Sequence, residues 1–276
     1  MYKIIISDLD ETLLQTWDKK VSAKNREAIA KATELGVKFV VGTGRPYTTV
    51  QGTLEELGLK DAKDQYVVSF NGGAITENAG NKMKYYQGIT FEEAAELFER
   101  AKKYDVGMHV YTKDEVYVWR LDSFGEREFQ DGRMDVIERD DDNLDFLKGQ
   151  EIVKMLYINT DYAYLHKIEE ELSDITGNMD VSYSSNRFLE FNRKGVNKGE
   201  GLRRLAEMLG VDLKDTIAIG DNYNDLPMIK VAGLGVGVAN STRGILPDCD
   251  VITEADCDHD AVAEVIEKYI LKGAEA

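Results

Sequence analysis

Two aspartates one residue apart, Asp8 and Asp10, follow directly on Ile4-Ile5-Ile6-Ser7 and precede Thr12, Leu13 and Leu14. Paired carboxylates can hold a hard cation through oxygen, and one of them can attack an electrophile. The same Asp-x-Asp spacing recurs at Asp140/Asp142, Asp248/Asp250, Asp256/Asp258 and Asp258/Asp260. Those copies stand in charged sequence that reads as solvated loop. Only the first caps an apolar strand: three consecutive isoleucines suit a strand buried on both faces inside a parallel sheet. Ligands of such sheets collect beyond the carboxyl ends of the strands, where Asp8 and Asp10 fall.

Three later stretches could join them. Val37–Val41 runs into Gly42-Thr43-Gly44-Arg45-Pro46, and Thr216–Ile219 into Gly220-Asp221-Asn222-Tyr223-Asn224-Asp225. If both strands lie beside the first, Asp8, Asp10, Thr43 and Asp221 converge on one sheet edge. Three carboxylates and a hydroxyl suit Mg²⁺, which takes oxygen ligands, and their mutual repulsion raises their pKa values unless a cation sits among them. Thr43 reads either as a turn residue or as part of a loop whose glycines let backbone amides approach a phosphate. Asn71-Gly72-Gly73 reads equally as a substrate contact or a plain turn. Lys198 opens a helix, where its charge opposes the helix dipole; a solvent-exposed lysine, or an ammonium facing an anion alongside the helix N-terminus, would account for it.

The elements that must position these residues form two patterns. Ser22 caps a helix through Leu35, Pro46 starts another toward Leu57, and Tyr66–Phe70 is a third strand, so the first part alternates strand and helix as a parallel, doubly wound sheet does. Hairpin-like stretches follow: Ala74–Thr76 with Met83–Tyr86, then Met108–Tyr111 with Val116–Trp119, and Val181–Ser184 with Phe188–Phe191. Helices are expected at Thr90–Tyr104 and Tyr162–Ile175, and the acidic run Glu138–Asp145 reads as a loop. From Gly195 the first pattern returns, with helices over Lys198–Leu209, Leu226–Val231 and Ala261–Leu271 and a strand at Leu234–Val238. The expected fold is therefore α/β: a doubly wound, Rossmann-like parallel sheet core over 1–83 and 190–276, interrupted by an inserted α+β cap domain over 84–189.

Composition narrows the function. A net charge of −17 argues against nucleic acid, which needs a basic footprint. It does not exclude a phosphorylated substrate, because charges beyond about 8 Å are screened and local cations decide. No apolar run approaches the roughly 20 residues of a membrane span, so no membrane partner is expected. The chain opens on a strand rather than on a secretory leader. Its two cysteines, Cys249 and Cys257, make neither a disulfide framework nor a thiolate zinc cluster, and a reducing cytoplasm is the expected home. No Walker-type phosphate loop occurs, and Gly233-x-Gly235-x-Gly237 lacks the spacing of a dinucleotide fingerprint.

Taken together, Asp8-Leu9-Asp10-Glu11-Thr12, Thr43-Gly44-Arg45, Lys198-Gly199 and Gly220-Asp221-Asn222-x-Asn224-Asp225 resemble the four motifs of the haloacid dehalogenase-like hydrolases. Their order and the large insertion before the lysine resemble the Cof-type sugar-phosphatase branch, and the likeness spans essentially the whole chain. Glu11 is a departure, since that branch usually has glycine there. The resemblance implies an Mg²⁺-dependent phosphatase of small phosphorylated metabolites, sugar phosphates foremost, with Asp8 as nucleophile and Asp10 as general acid and base. It implies Mg²⁺ held by Asp8, the Asp10 carbonyl and Asp221, with Asn224 or Asp225 in support. Phosphoryl oxygens would be bound by Thr43, Lys198 and the Leu9 and Gly44 amides, while Asn224 also faces phosphate.

Arg45, Asn71, Gly72, Asn186 and Arg187 are candidates for touching the leaving group. Two other readings use the same aspartate: a phosphomutase that returns the phosphoryl group to its sugar, and a signalling receiver that is merely phosphorylated. Neither the natural substrate nor the oligomeric state is legible.

Overall fold

The computed structural model describes residues 2–127, 135–184 and 186–272. They divide into two compact units, one built from the chain up to Tyr86 and from Asn197 onward, the other from Gln87–Val196.

The first unit is organised on an eight-stranded sheet. In sheet order its strands are β14 (Val251–Ile252), β13 (Leu234–Gly237), β12 (Thr216–Gly220), β1 (Ile4–Ser7), β2 (Lys38–Gly42), β3 (Tyr66–Ser69), β4 (Ala74–Glu77) and β5 (Lys82–Tyr86). The six from β14 to β3 are parallel, and β4 and β5 continue the edge as an antiparallel hairpin. All three isoleucines of β1 are buried, and the strand's alternation divides them between two apolar layers. Ile5 packs with Ile29 and Ala32 of helix α1 (Ala23–Glu34), Leu54 of α2 (Gln51–Glu56) and Val262 and Ile266 of α7 (Ala261–Ile266). Ile4 and Ile6 pack with Leu202, Leu205 and Ala206 of α5 (Lys198–Leu209) and Met228 of α6 (Leu226–Val231). Helices therefore cover both faces, as the continuous apolar strands require.

Helix limits follow local chemistry. The Ser22 side chain accepts the Asn25 N–H to start α1, and Asn197 accepts that of Glu200 at 3.0 Å to start α5, which ends at Gly210 in the left-handed region. Met228 begins the apolar contact of α6 one turn after Asp225. Among the described residues no helix is long and apolar enough to cross a membrane.

The second unit is a six-stranded sheet in the order β10 (Met179–Ser184), β11 (Phe188–Arg193), β9 (Ile152–Ile158), β6 (Gly107–Thr112), β7 (Val116–Trp119) and β8 (Ile137–Glu138). Among the described residues of this unit only the short β7–β8 pairing is parallel. Helices α3 (Phe91–Ala101), opened by a Thr90/Glu93 capping box, and α4 (Tyr162–Glu171) supply Leu97, Phe98, Leu165 and Ile168 to a core shared with Val110, Tyr157 and Phe191. The opposite strand positions mix apolar side chains such as Val118, Leu156 and Ile158 with buried polar ones, among them the Lys154–Glu190 pair at 2.7 Å.

The division of the chain differs from the expected 84–189 insertion. β5 is the last strand of the first sheet and runs to Tyr86, while β11 belongs wholly to the second sheet and runs to Arg193. Period-2 alternation identifies a strand without saying which sheet it joins. Several helices are also shorter than expected, α2 starting at Gln51, α3 ending at Ala101, α4 at Glu171 and α7 at Ile266, and the acidic run begins on Glu138, the second residue of β8.

Candidate active site

The loops after β1, β2, β3 and β12 carry the residues singled out by type and spacing. Asp8 leaves β1 with its N–H bonded to the Ile219 carbonyl of β12 at 2.9 Å, which ties the first motif to the fourth. The chain then turns sharply, the Leu9 carbonyl accepting the N–H groups of Leu13 at 3.1 Å and Leu14 at 2.9 Å. Glu11 sits inside this turn at φ +59°, a left-handed conformation that favours glycine. The turn brings Thr12 back under the fourth motif, where its hydroxyl donates to Asp221 Oδ1 at 2.8 Å.

Asp8, Asp221 and Asp225 are buried and offer carboxylate oxygens that all lie within 4.8 Å of one another. Lys198, the first residue of α5, is fully buried and donates to Asp8 Oδ1 and, at 2.6 Å, to Asp225 Oδ1. The second Asp225 oxygen accepts the backbone N–H groups of Asp221 and Asn222, both at 3.0 Å, so Asp225 folds the fourth motif around itself. A Cβ on Gly220 would lie 2.4 Å from the Asp225 Cβ, so a side chain there would displace this carboxylate.

Thr43 is buried at the end of β2. Its N–H bonds Val68 at 2.8 Å, its carbonyl accepts Asn71 N–H at 2.9 Å, and its hydroxyl accepts Arg45 N–H at 3.1 Å. Asn71 also accepts from Asn224 at 3.4 Å, linking the third and fourth loops. Gly72, at φ +97°, lies so close to the start of α5 that a Cβ would meet the Asn197 carbonyl at 2.2 Å. Arg45 reaches Asp10 with two N–H groups, Nε to Oδ2 at 2.9 Å and Nη2 to Oδ1 at 2.5 Å.

The sequence-picked core residues therefore stand in one connected set: Asp10 to Arg45, to Thr43, to Asn71, to Asn224, and through the fourth motif to Asp225, Lys198 and Asp8. Asn186 and Arg187 belong to the second unit. Asn186 is an exposed turn residue between β10 and β11 at φ +51°, and the Arg187 side chain donates to the Phe124 carbonyl. Residue type and spacing do not single out Thr12, and they give Asp225 a supporting place rather than one in the three-carboxylate cluster. The Thr12 contact joins residues 209 positions apart. Its hydroxyl beside the paired aspartates was the one available sign.

Electrostatics follow from burial. Burial pushes the Asp8 carboxyl well above the usual range, and the neighbouring Asp225 and Asp221 add to this, while Lys198 opposes it. Asp221 is pushed up to about 7 by burial and by Asp225, with the Thr12 hydrogen bond pulling the other way. Burial alone would lower Lys198, but Asp225 and Asp8 outweigh it and the ammonium is held above its ordinary value. Three close carboxylates facing one lysine make an oxygen-only site with surplus negative charge, and this donor set fits a hard divalent cation. Asp8 and Asp221 would hold that cation, with Asp225 beside them.

The haloacid dehalogenase-like hydrolase family model matches residues 5–266. A solved haloacid dehalogenase-like hydrolase from Bacteroides thetaiotaomicron superposes with a TM-score of 0.85 at 32% identity, covering 97% of this chain and 99% of that one. A phosphoglycolate phosphatase of Methanosarcina acetivorans is 30% identical over 273 residues, 96% of this chain and 95% of its own. A 5-amino-6-(5-phospho-D-ribitylamino)uracil phosphatase of Bacillus subtilis is 28% identical over 269 residues, 98% of this chain and 96% of its own.

Proposed function

The chain belongs to the haloacid dehalogenase-like hydrolases and is a phosphoric monoester hydrolase; from that premise we propose that it is an Mg²⁺-dependent phosphatase of small phosphorylated metabolites, sugar phosphates foremost, acting in the cytoplasm through a phosphoryl group carried on Asp8. The observation that carries this reading is the buried Lys198 shared between Asp8 and Asp225, with Asp221 in reach of both. The ammonium holds the Asp8 carboxylate at the end of β1 and supplies positive charge where phosphoryl oxygens would arrive.

In this reading an Asp8 oxygen attacks phosphorus and the ester oxygen departs, giving an aspartyl-phosphate. Asp10 gives a proton to the departing oxygen, and the resulting carboxylate then takes one from the water that attacks the same phosphorus, which releases phosphate and restores Asp8. Lys198, the Thr43 hydroxyl and the Leu9 and Gly44 amides hold the phosphoryl oxygens, and Asn224 faces them from the fourth motif. Mg²⁺, held by Asp8, the Asp10 carbonyl and Asp221, would supply charge neutralisation at the phosphoryl group. Asp225 has two tasks, keeping Lys198 charged and fixing the Asp221 loop. Arg45, Asn71 and Gly72 line the core loops from which a leaving group could be touched, and Asn186 and Arg187 are the candidates from the inserted unit. Uncatalysed hydrolysis of phosphate monoesters is slow enough that acceleration reaches about 10²¹-fold, so position, charge and proton transfer must all contribute.

A phosphate-release screen over phosphorylated metabolites with Mg²⁺, run beside Asp8→Asn, tests the reading. The parent should release phosphate and the variant essentially none. An isomeric phosphate without free phosphate would replace hydrolysis by a mutase reaction.

A further inference from the structure

Both oxygens of Asp10 are taken by one guanidinium, Nε to Oδ2 at 2.9 Å and Nη2 to Oδ1 at 2.5 Å. Such a planar fork fixes the plane of the carboxylate as well as its distance, which a lysine cannot do. Arg45 is itself anchored: its N–H bonds the Thr43 hydroxyl, its carbonyl accepts the Phe70 N–H at 3.2 Å, and Pro46 restricts its backbone. Asp10 thus takes its orientation from the loop that carries Thr43 rather than from its own turn, where the neighbouring Glu11 holds a left-handed conformation.

We propose that Arg45 is a positioning residue for proton transfer, which aims the Asp10 carboxylate and yields one of its oxygens when the reacting oxygen arrives. This rests on the phosphatase reading above. Two features support a clamp that opens. Arg45 occupies one lone pair on each Asp10 oxygen, so parting of one contact would free that oxygen more fully to give or take a proton. The pair is also partly exposed, with Arg45 at 33% and Asp10 at 41%, so water can replace either contact as it parts. Lys198, fully buried between two carboxylates, has no comparable freedom. A holder that parts is what Asp10 needs, because its task changes from acid to base between the two half-reactions.

The alternative role for Arg45 is direct contact with the substrate, and the two make opposite demands on kinetics. A ground-state contact changes KM and inhibition by inorganic phosphate. A positioning residue acts through Asp10 alone, so its effect disappears when Asp10 can no longer transfer a proton.

The test is a double-mutant cycle of Arg45→Gln with Asp10→Asn, accompanied by Arg45→Lys, on an alkyl phosphate that the parent hydrolyses and on p-nitrophenyl phosphate. Arg45→Gln should lower kcat on the alkyl phosphate by about 30- to 100-fold, the scale of a misplaced catalytic group. KM and phosphate inhibition should move by less than about threefold, and adding Arg45→Gln to Asp10→Asn should cost less than about threefold more. With p-nitrophenyl phosphate, whose departing oxygen needs little protonation, the first burst of p-nitrophenolate should persist while later turnover slows. Arg45→Lys should fall between parent and Arg45→Gln. A KM raised more than about tenfold with kcat retained, or an undiminished loss in the Asp10→Asn background, would overturn the assignment. A parent inactive on every phosphate ester removes the phosphatase reading, and this role with it.

Discussion

Lys198 and Asp225 meet at 2.6 Å with neither side chain exposed to solvent. Their pairing joins the first turn of α5 to the loop that follows β12, and Asp8 shares the same ammonium. A lysine opposing the helix dipole is thus held by two carboxylates, which more than offset that dipole and the burial.

Removing the ammonium leaves two buried acids without their counter-ion. Lys198→Met should cost about 3–5 kcal/mol of stability, the usual penalty for breaking a buried pair from one side, and should abolish phosphate release. Urea denaturation measures the first effect. A loss below about 1 kcal/mol would contradict the structural part assigned to this buried ammonium.

The Asp221 carboxyl, pushed up to about 7 from 3.8, makes a signed forecast. Between those values the folded, metal-free protein binds more protons at this group than the unfolded chain, so the group's contribution to stability declines as pH rises from about 4 through 7. Mg²⁺ must displace that proton to bind, so its stabilising effect should grow over the same window and level off above it. Melting temperatures with chelator and with Mg²⁺, at about pH 5.5 and about pH 8, check this. An Mg²⁺ effect equal at both pH values would contradict it.

Thr12 touches no reacting atom, yet its hydroxyl is bonded to Asp221. Thr12→Val keeps the shape and removes the donor. The Asp221 carboxyl should move further up, and Mg²⁺ affinity should weaken by about 10- to 100-fold, as for other groups that orient a metal ligand. Titration calorimetry with Mg²⁺ reads this without needing a substrate. Unchanged affinity would relegate Thr12 to packing.

Glu11 is held at φ +59°, where a residue with a Cβ pays roughly 1–2 kcal/mol. Glu11→Gly removes that strain but adds freedom to the unfolded chain, worth roughly 0.5–1 kcal/mol. The net expectation is a gain of about 0.5–1 kcal/mol in urea denaturation. Because Glu11 also helps push Asp221 up, Mg²⁺ should bind at slightly lower pH in the variant. A destabilised Glu11→Gly would show that the side chain makes contacts worth more than the strain.

Much of this architecture was readable from residue order because it depends on strong local signals. Ile4-Ile5-Ile6 can be satisfied only between two apolar layers, and α5 spans the expected Lys198–Leu209, capped by Asn197 and Gly210. The edge strand Val251–Ile252 is too short to leave a pattern, and the membership of β5 and β11 depends on which sheet offers hydrogen bonds. In the site, the residue types that do chemistry stood out, whereas the contacts they make did not. Thr12 depends on a partner 209 residues away, and Asp225, legible as support for the metal, shows its hold on Lys198 and two backbone amides only in the folded chain.

The account stands on Asp8 as the atom that receives the phosphoryl group. Asp10→Asn should slow hydrolysis of that intermediate, so acid quenching during turnover of p-nitrophenyl phosphate with Mg²⁺, followed by peptide mass spectrometry, should find a phosphoryl adduct on Asp8. Turnover by Asp8→Asn at the parent's rate, with no adduct on Asp8 in the Asp10→Asn protein, would contradict it.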